Sequence, residues 1–400
     1  MPDPTPAPAP SIWRPALTAF AKYVVPALLA AAATWFGLPP QVVERVKEIP
    51  VPIGGDGGKT VDFGWHPPSP DEIAAALDPN QTDQFADTAA GRAVLGDEDV
   101  FLWRAFTAIG VKVLPWVNQK DVGCCVGCGY KHSADTLLAV QCSRDPLGSD
   151  WKPISVEAIY AGSRNEVGGG RISGDGSVGQ WAADWIGRVG GAAPAEKYAT
   201  VDLTEFSPAR ARSMGRAGQK LPADVLDAAK KHPAKGTALV RTFDDVAKAI
   251  RQGYPVAVCS NVGFAGMARD ADGFIRPSGS WAHCMCFIGV RGGGRPGVYC
   301  LNSWGPDAHT GPTWPADAPT NGFWIDAAVV TRMVQQADSY ALADMTGFPA
   351  RRLPDWFIAA PRPEPFTFTA PARHPLGLRN RLAATRVMPH QRPEPASVGW

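Results

Sequence analysis

A chain of 400 residues with 45% apolar and 9% aromatic content is long enough for one large domain or two ordinary ones, and its composition excludes a wholly disordered polypeptide. Charged residues make up 19% and the formal net charge is +1, so no global attraction toward nucleic acid is built in and no nucleic-acid partner is expected. Eight cysteines, none in the first 123 or last 100 residues, are too sparse for a disulfide scaffold and leave the redox compartment open.

In chain order, residues 1–15 are Pro-rich and suit an extended arm. Residues 16–38 are apolar, with sixteen uncharged positions from Tyr23 to Leu38, a length marginal for crossing a bilayer. This segment suits a membrane anchor, a cleaved secretory signal or a buried soluble helix, so an anchored or exported protein is favoured over a purely cytoplasmic one. Residues 39–97 read as a linker and lead-in, with a Gly-rich break at 51–60 and Ser69 as the N-cap of a short helix.

From about residue 98 to 345 apolar residues are dense, and a folded domain is expected there. Helices are expected from Cys125 to about Val140, at "ISVEAIYAGSR", at "QWAADWIGRVG" and at "TFDDVAKAIRQG" with Thr242 as cap; a Gly-rich loop, "EVGGGRISGDGSVG", separates the first two of these from the third. The period then changes. "YPVAVCSNV", "AHCMCFIGVRG", "GVYCLNSWG" and "GFWIDAA" read as short strands between glycines and prolines. Helices first and strands second argue for an α+β protein with a helical half and a β half, not a doubly wound sheet. Residues 346–400 are Pro- and Arg-rich, with the composition of a tail that is solvated or docks on a partner.

A nucleophilic thiol needs a depressed pKa, a base within hydrogen-bond reach and donors aimed at the developing oxyanion. Cys125 sits where a glycine-containing turn gives way to a helical pattern, so free backbone N–H groups and the helix dipole favour a thiolate there. Gln119, six residues upstream, can offer a side-chain amide. Among the seven histidines, His132 lies about 10 Å along the same helix, too far to act as base. His66, His374 and His390 fall in Pro-rich segments, His232 in a basic turn and His309 in a Gly/Pro loop. His283 opens an apolar strand, and Asn302 ends the next one, so an antiparallel hairpin brings the two together.

These residues resemble the papain-like cysteine peptidase family. Gln119, Gly123, Cys124 and Cys125 match its nucleophile segment, with Cys124 where Ser is usual; His283 to Gly289 matches its base strand; Asn302-Ser303-Trp304-Gly305 stands letter for letter. The resemblance covers about residues 100 to 335 and implies a two-lobed fold: a helical N-terminal half, an antiparallel sheet or barrel in the C-terminal half, and a cleft between. It implies Cys125 as nucleophile, His283 as general base and then acid, Asn302 as the residue fixing the imidazole, and Gln119 as oxyanion donor. Trp304 would shield the Asn302–His283 bond, while Asp175, Gly176 and Ser177 would meet the substrate backbone and Ser260 a specificity pocket. Val126 departs from the family's aromatic residue, and no long helical propeptide is recognisable.

A peptide or protein substrate, no cofactor, no metal and a monomeric state are expected. Three other readings stay open: Cys125, Cys128, His283, Cys284 and Cys286 as soft ligands for zinc, a thioredoxin-like Cys125/Cys128 pair, and a degenerate peptidase fold used for binding.

Overall fold

Ser69 caps the first helix among the described residues, α1 (Pro70–Leu77): its Oγ accepts from Glu72 N at 3.3 Å, and Ser69 N donates to the Glu72 carboxylate at 2.8 Å. The structure, a computed structural model, describes residues 61–144, 151–264, 266–306 and 308–345. All fall in the first of the chain's two units, Met1–Phe368; the second, Thr369–Trp400, lies outside the described residues, as do the Pro-rich arm, the apolar segment 16–38 and the tail from 346. Among the described residues no helix is long and apolar enough to cross a membrane.

A two-residue strand β1 (Val61–Asp62) precedes α1, and α2 (Ala89–Arg92), β2 (Val100–Phe101) and α3 (Arg104–Ala108) follow it. The long helix α4 (Cys125–Arg144) comes next, buried all round from Cys125 to Cys142. Around it lie α5 (Val156–Ala161), extended by a π-helical turn to Val167, and α6 (Gly179–Asp184), extended likewise to Val189; α7 (Pro208–Met214) and α8 (Ala223–Ala229) close the helical part. The sheet part contains β3 (Ala234–Leu239), α9 (Phe243–Arg251), β4 (Val256–Val262), β5 (Ser280–Arg291), β6 (Gly297–Leu301), β7 (Gly322–Asp326), α10 (Ala327–Val334) and β8 (Tyr340–Met345). Thr242 caps α9 through a reciprocal pair with Asp245.

The strands run in the order β3-β8-β4-β5-β6-β7, all antiparallel, with β1 and β2 attached to β5. This is an α+β fold. The sheet is open, with β3 and β7 at its ends, rather than closed into a barrel. Four strands are not apparent in the sequence: β1 and β2, which are only two residues long, and β3 and β8, because "AKGTAL" and "YALADM" carry few β-branched residues and are held by burial and by each other.

The stretch 61–97, read as a lead-in, packs onto the domain from its first described residues. Trp65, Leu77, Phe85 and Ala90 are buried in the main core, and Gln252 Nε2 donates to Ala90 O at 2.9 Å. Its overall polarity concealed a few large apolar side chains, which supply the burial. α4 lies against β5 at a distance that only glycine permits: a Cβ on Gly129 would sit 2.7 Å from Cys284 Sγ and 2.9 Å from Met285 O. This contact brings the start of α4 to the start of β5.

Candidate active site

Cys125 is the first residue of α4, where helical N–H groups lack intrahelical partners. Its sulfur accepts from Cys284 N at 3.3 Å, a donor that favours the thiolate. Cys284 follows His283 in β5, so this bond sets the sulfur beside the histidine's own backbone. His283 Nε2 lies 2.8 Å from Asn302 Oδ1, which also accepts from Ser303 N at 2.7 Å. Because Oδ1 only accepts, the His283 proton sits on Nε2 and Nδ1 carries the lone pair. That Nδ1 is buried and makes no hydrogen bond in the structure. Burial, opposed by the Asn302 bond, lowers the His283 pKa to about 4.

The hairpin inferred from sequence is the one present, with β5 and β6 antiparallel and Asn302 just past the end of β6. Trp304 stacks on the His283 ring, centroids 4.8 Å apart at 20°. Gln119 joins the same cluster: its N donates to Ser303 O at 2.8 Å and its Oε1 accepts from Ser303 Oγ at 2.7 Å. The Gln119 amide nitrogen donates to Val122 O and to Phe63 O, both at 3.0 Å.

This last bond exposes what sequence reading missed. Residues 61–66 form a strap across the cluster. β1 pairs parallel with Trp281 and Ala282, Phe63 N donates to Ala282 O at 3.0 Å, and the Phe63 ring lies 5.1 Å from His283 and 4.6 Å from Trp304. Ser177 N donates to Gly64 O and His66 N to Ser177 O, each at 2.9 Å, while His66 Nε2 pairs with Asp175 O at 2.9 Å. Cys125, His283 and Asn302 have 0% exposure. Gly64 makes the close approach possible, since its φ is +109° and a Cβ would lie 2.1 Å from Gly123 O.

The strap is anchored by Trp65, whose Nε1 donates to the buried Asp338 carboxylate at 2.7 Å. The same carboxylate accepts from Gly179 N at 2.8 Å and Gln180 N at 2.6 Å, in the first turn of α6. Burial nonetheless raises the Asp338 pKa to about 7.

Of the residues expected to meet a substrate, Ser177 and Asp175 contact the strap, and Asp175 also accepts from Gly123 N at 2.9 Å. Gly176 N donates to Tyr160 Oη at 3.0 Å, and Ser260 Oγ is engaged inside the protein by Val262 N and Gln336 Nε2, both at 3.0 Å. His132 is turned away as the base: its Nε2 accepts from Val117 N at 3.2 Å. His66, set aside as lying in a Pro-rich segment, is part of the strap instead. His309, set aside as a loop residue, is 5% exposed and its Nε2 lies 3.2 Å from Asn302 Nδ2. Cys124 and Cys128 Sγ atoms lie 3.8 Å apart, one helical turn from each other in a small apolar cluster. Among the described residues no three Cys, His, Asp or Glu side chains converge so as to hold a metal.

Solved cysteine proteases are what this fold resembles. Xylellain, a cysteine protease from Xylella fastidiosa, is 14% identical, with 71% of this chain and 97% of that one covered at a TM-score of 0.46. Digestive procathepsin L 3 of Tenebrio molitor is 14% identical over 68% of this chain and 78% of its own, TM-score 0.40. Bromelain from Ananas comosus, solved with the E64 inhibitor, is 13% identical over 62% and 99%, TM-score 0.39. No family model and no curated protein matches the chain.

Proposed function

We propose that the chain is a papain-like cysteine peptidase that hydrolyses peptide or isopeptide bonds through Cys125, His283 and Asn302. The observation that carries this reading is the bond from His283 Nε2 to Asn302 Oδ1 at 2.8 Å. It fixes the tautomer that leaves Nδ1 to take a proton, while the residue next to His283 donates its N–H to the Cys125 sulfur at 3.3 Å. Cys125 attacks the carbonyl carbon as a thiolate, and its proton rests on His283 Nδ1. The oxyanion takes the place now held by the Phe63 carbonyl, facing the Gln119 amide. His283 passes its proton to the leaving amine, and water, deprotonated by His283, releases the acyl group.

The strap means that this machinery is closed in the folded chain, and turnover requires residues 61–66 to leave. The same closure supports a second reading, in which the cleft stays filled and the fold serves only for binding. An epoxide inhibitor of papain-like thiolates tests both on the full-length chain. Under the peptidase reading it modifies Cys125 alone, and Cys125→Ala abolishes labelling and hydrolysis together. Hydrolysis that persists in Cys125→Ala refutes the peptidase mechanism, and a Cys125 that never labels, even with the strap displaced, favours the binding protein.

A further inference from the structure

Asn302 has an amide with two ends, and each end meets a group of fixed character. Its Oδ1 accepts from His283 Nε2 and Ser303 N. Its Nδ2 can only donate, so the His309 Nε2 at 3.2 Å must present a lone pair, with the His309 proton on Nδ1. Turning the amide over would set N–H against N–H at His283 and Ser303, and lone pair against lone pair at His309.

The loop carrying His309 is built to hold it there. Buried Arg269 donates from Nε to Gly322 O at 2.8 Å, and from Nη1 to Gly311 O at 3.0 Å and His309 O at 3.4 Å. Arg269 N donates to Thr310 O at 2.9 Å and Thr310 N to Met267 O at 3.2 Å, so the backbone is pinned on both sides of the imidazole. The Phe323 ring lies 4.7 Å from it on another face.

From this we infer that His309 is a positioning residue for the reaction: by accepting from Asn302 Nδ2 it holds Oδ1 on His283, and so keeps His283 in the tautomer that can take the thiol proton. The inference rests on the reading of Cys125, His283 and Asn302 given above. Burial, with the Arg269 cation next in weight, lowers the His309 pKa to about 4, and His283 adds to this, so the acceptor form is the one present near neutral pH. Glutamine can replace this acceptor with its Oε1; leucine cannot.

The test follows iodoacetamide alkylation of Cys125 against pH, by peptide mass mapping, in the full-length chain carrying Gly64→Val to displace the strap. His309→Leu should slow alkylation at pH 6 by about tenfold and move the rise of the profile to higher pH, because the imidazolium that supports the thiolate is less well held. His309→Gln should stay within about threefold of the parent. Asn302→Ala should behave as His309→Leu does. If leucine prevents folding, judged by the thermal midpoint, methionine takes its place as a side chain of similar bulk with at most a weak acceptor. Equal profiles for the leucine and glutamine variants, with Asn302→Ala slow, overturn the role of His309 alone. A parent Cys125 no more reactive than Cys142 overturns the underlying reading and this inference with it.

Discussion

Gly64→Val is the substitution that separates a closed peptidase from a filled one. Valine is strained at a φ of +109°, and its Cβ would overlap Gly123 O, which belongs to the fixed turn before α4. The strap rather than the turn must yield. What is lost is set by the contacts above. Burial of Trp65 and partial burial of Phe63 contribute about 4 to 5 kcal/mol. The six strap hydrogen bonds of 3.0 Å or shorter, among them those from Phe63 N, His66 N and Trp65 Nε1, add about 1 kcal/mol each. Ordering six residues costs about 1 to 1.5 kcal/mol apiece. Closure is therefore worth about 1 to 5 kcal/mol, so the parent chain is open between about 15% and about 0.02% of the time. Displacing the strap should accelerate alkylation of Cys125 by about sixfold to about five-thousandfold at constant pH. Iodoacetamide kinetics with peptide mapping read this directly, and buried Cys142 serves as the internal control for global opening. An unchanged Cys125 rate in a folded Gly64→Val chain refutes the gating argument. So does a parallel rise at Cys142, which would mean that the strap cannot leave without unfolding the domain.

Acid should loosen the strap. With a closed-state pKa of about 4 and a solvated value of 6.5, His283 binds protons more readily once uncovered, so closure weakens as pH falls from 6.5 toward 4. At pH 5 the open-to-closed ratio should be about thirtyfold higher than well above pH 6.5, measured as faster hydrogen exchange at Phe63 and His66 amides; exchange independent of pH after correction for intrinsic rates counts against it. Asp338 acts in the opposite sense on stability, because a carboxyl raised to about 7 makes the folded state lose ground as pH increases from 4 to 7. Asp338→Asn should flatten that part of a urea-denaturation profile, and an unchanged slope would show that the carboxylate does not titrate there. Gln119→Ala should lower kcat of the opened chain by about 10- to 100-fold with little change in KM, since in the proposed mechanism the amide faces the oxyanion; a pure KM effect would assign it to binding instead. Gly129→Ala should cost about 1 to 3 kcal/mol of stability by pushing α4 off β5, seen as a lower thermal midpoint, and a neutral result would mean that the two elements separate freely.

The sequence by itself singled out the candidate site residues and much of the local structure. Gln119, Cys125, His283 and Asn302 could be picked out because each is tied to a local pattern: a turn before a helix, the start of an apolar strand, the end of the next strand. The caps at Ser69 and Thr242 were legible for the same reason, since a cap and its partner lie three residues apart. The tertiary structure decided what no local pattern encodes. "DFGWH" stands out only slightly in a polar stretch, yet it bonds to Gln119, Ser177, Ala282 and Asp338, up to 273 positions away, and so covers the site. His309 differs from other loop histidines only through Asn302 and the Arg269 staple, which the fold brings to it. Strands β3 and β8 exist because they pair with each other, β8 also with β4, and are buried, not because their residues favour strands. Hydrogen bonds between distant segments leave no periodicity in the chain, so candidate reactive groups can be picked out from the sequence, while what covers and orients them depends on packing.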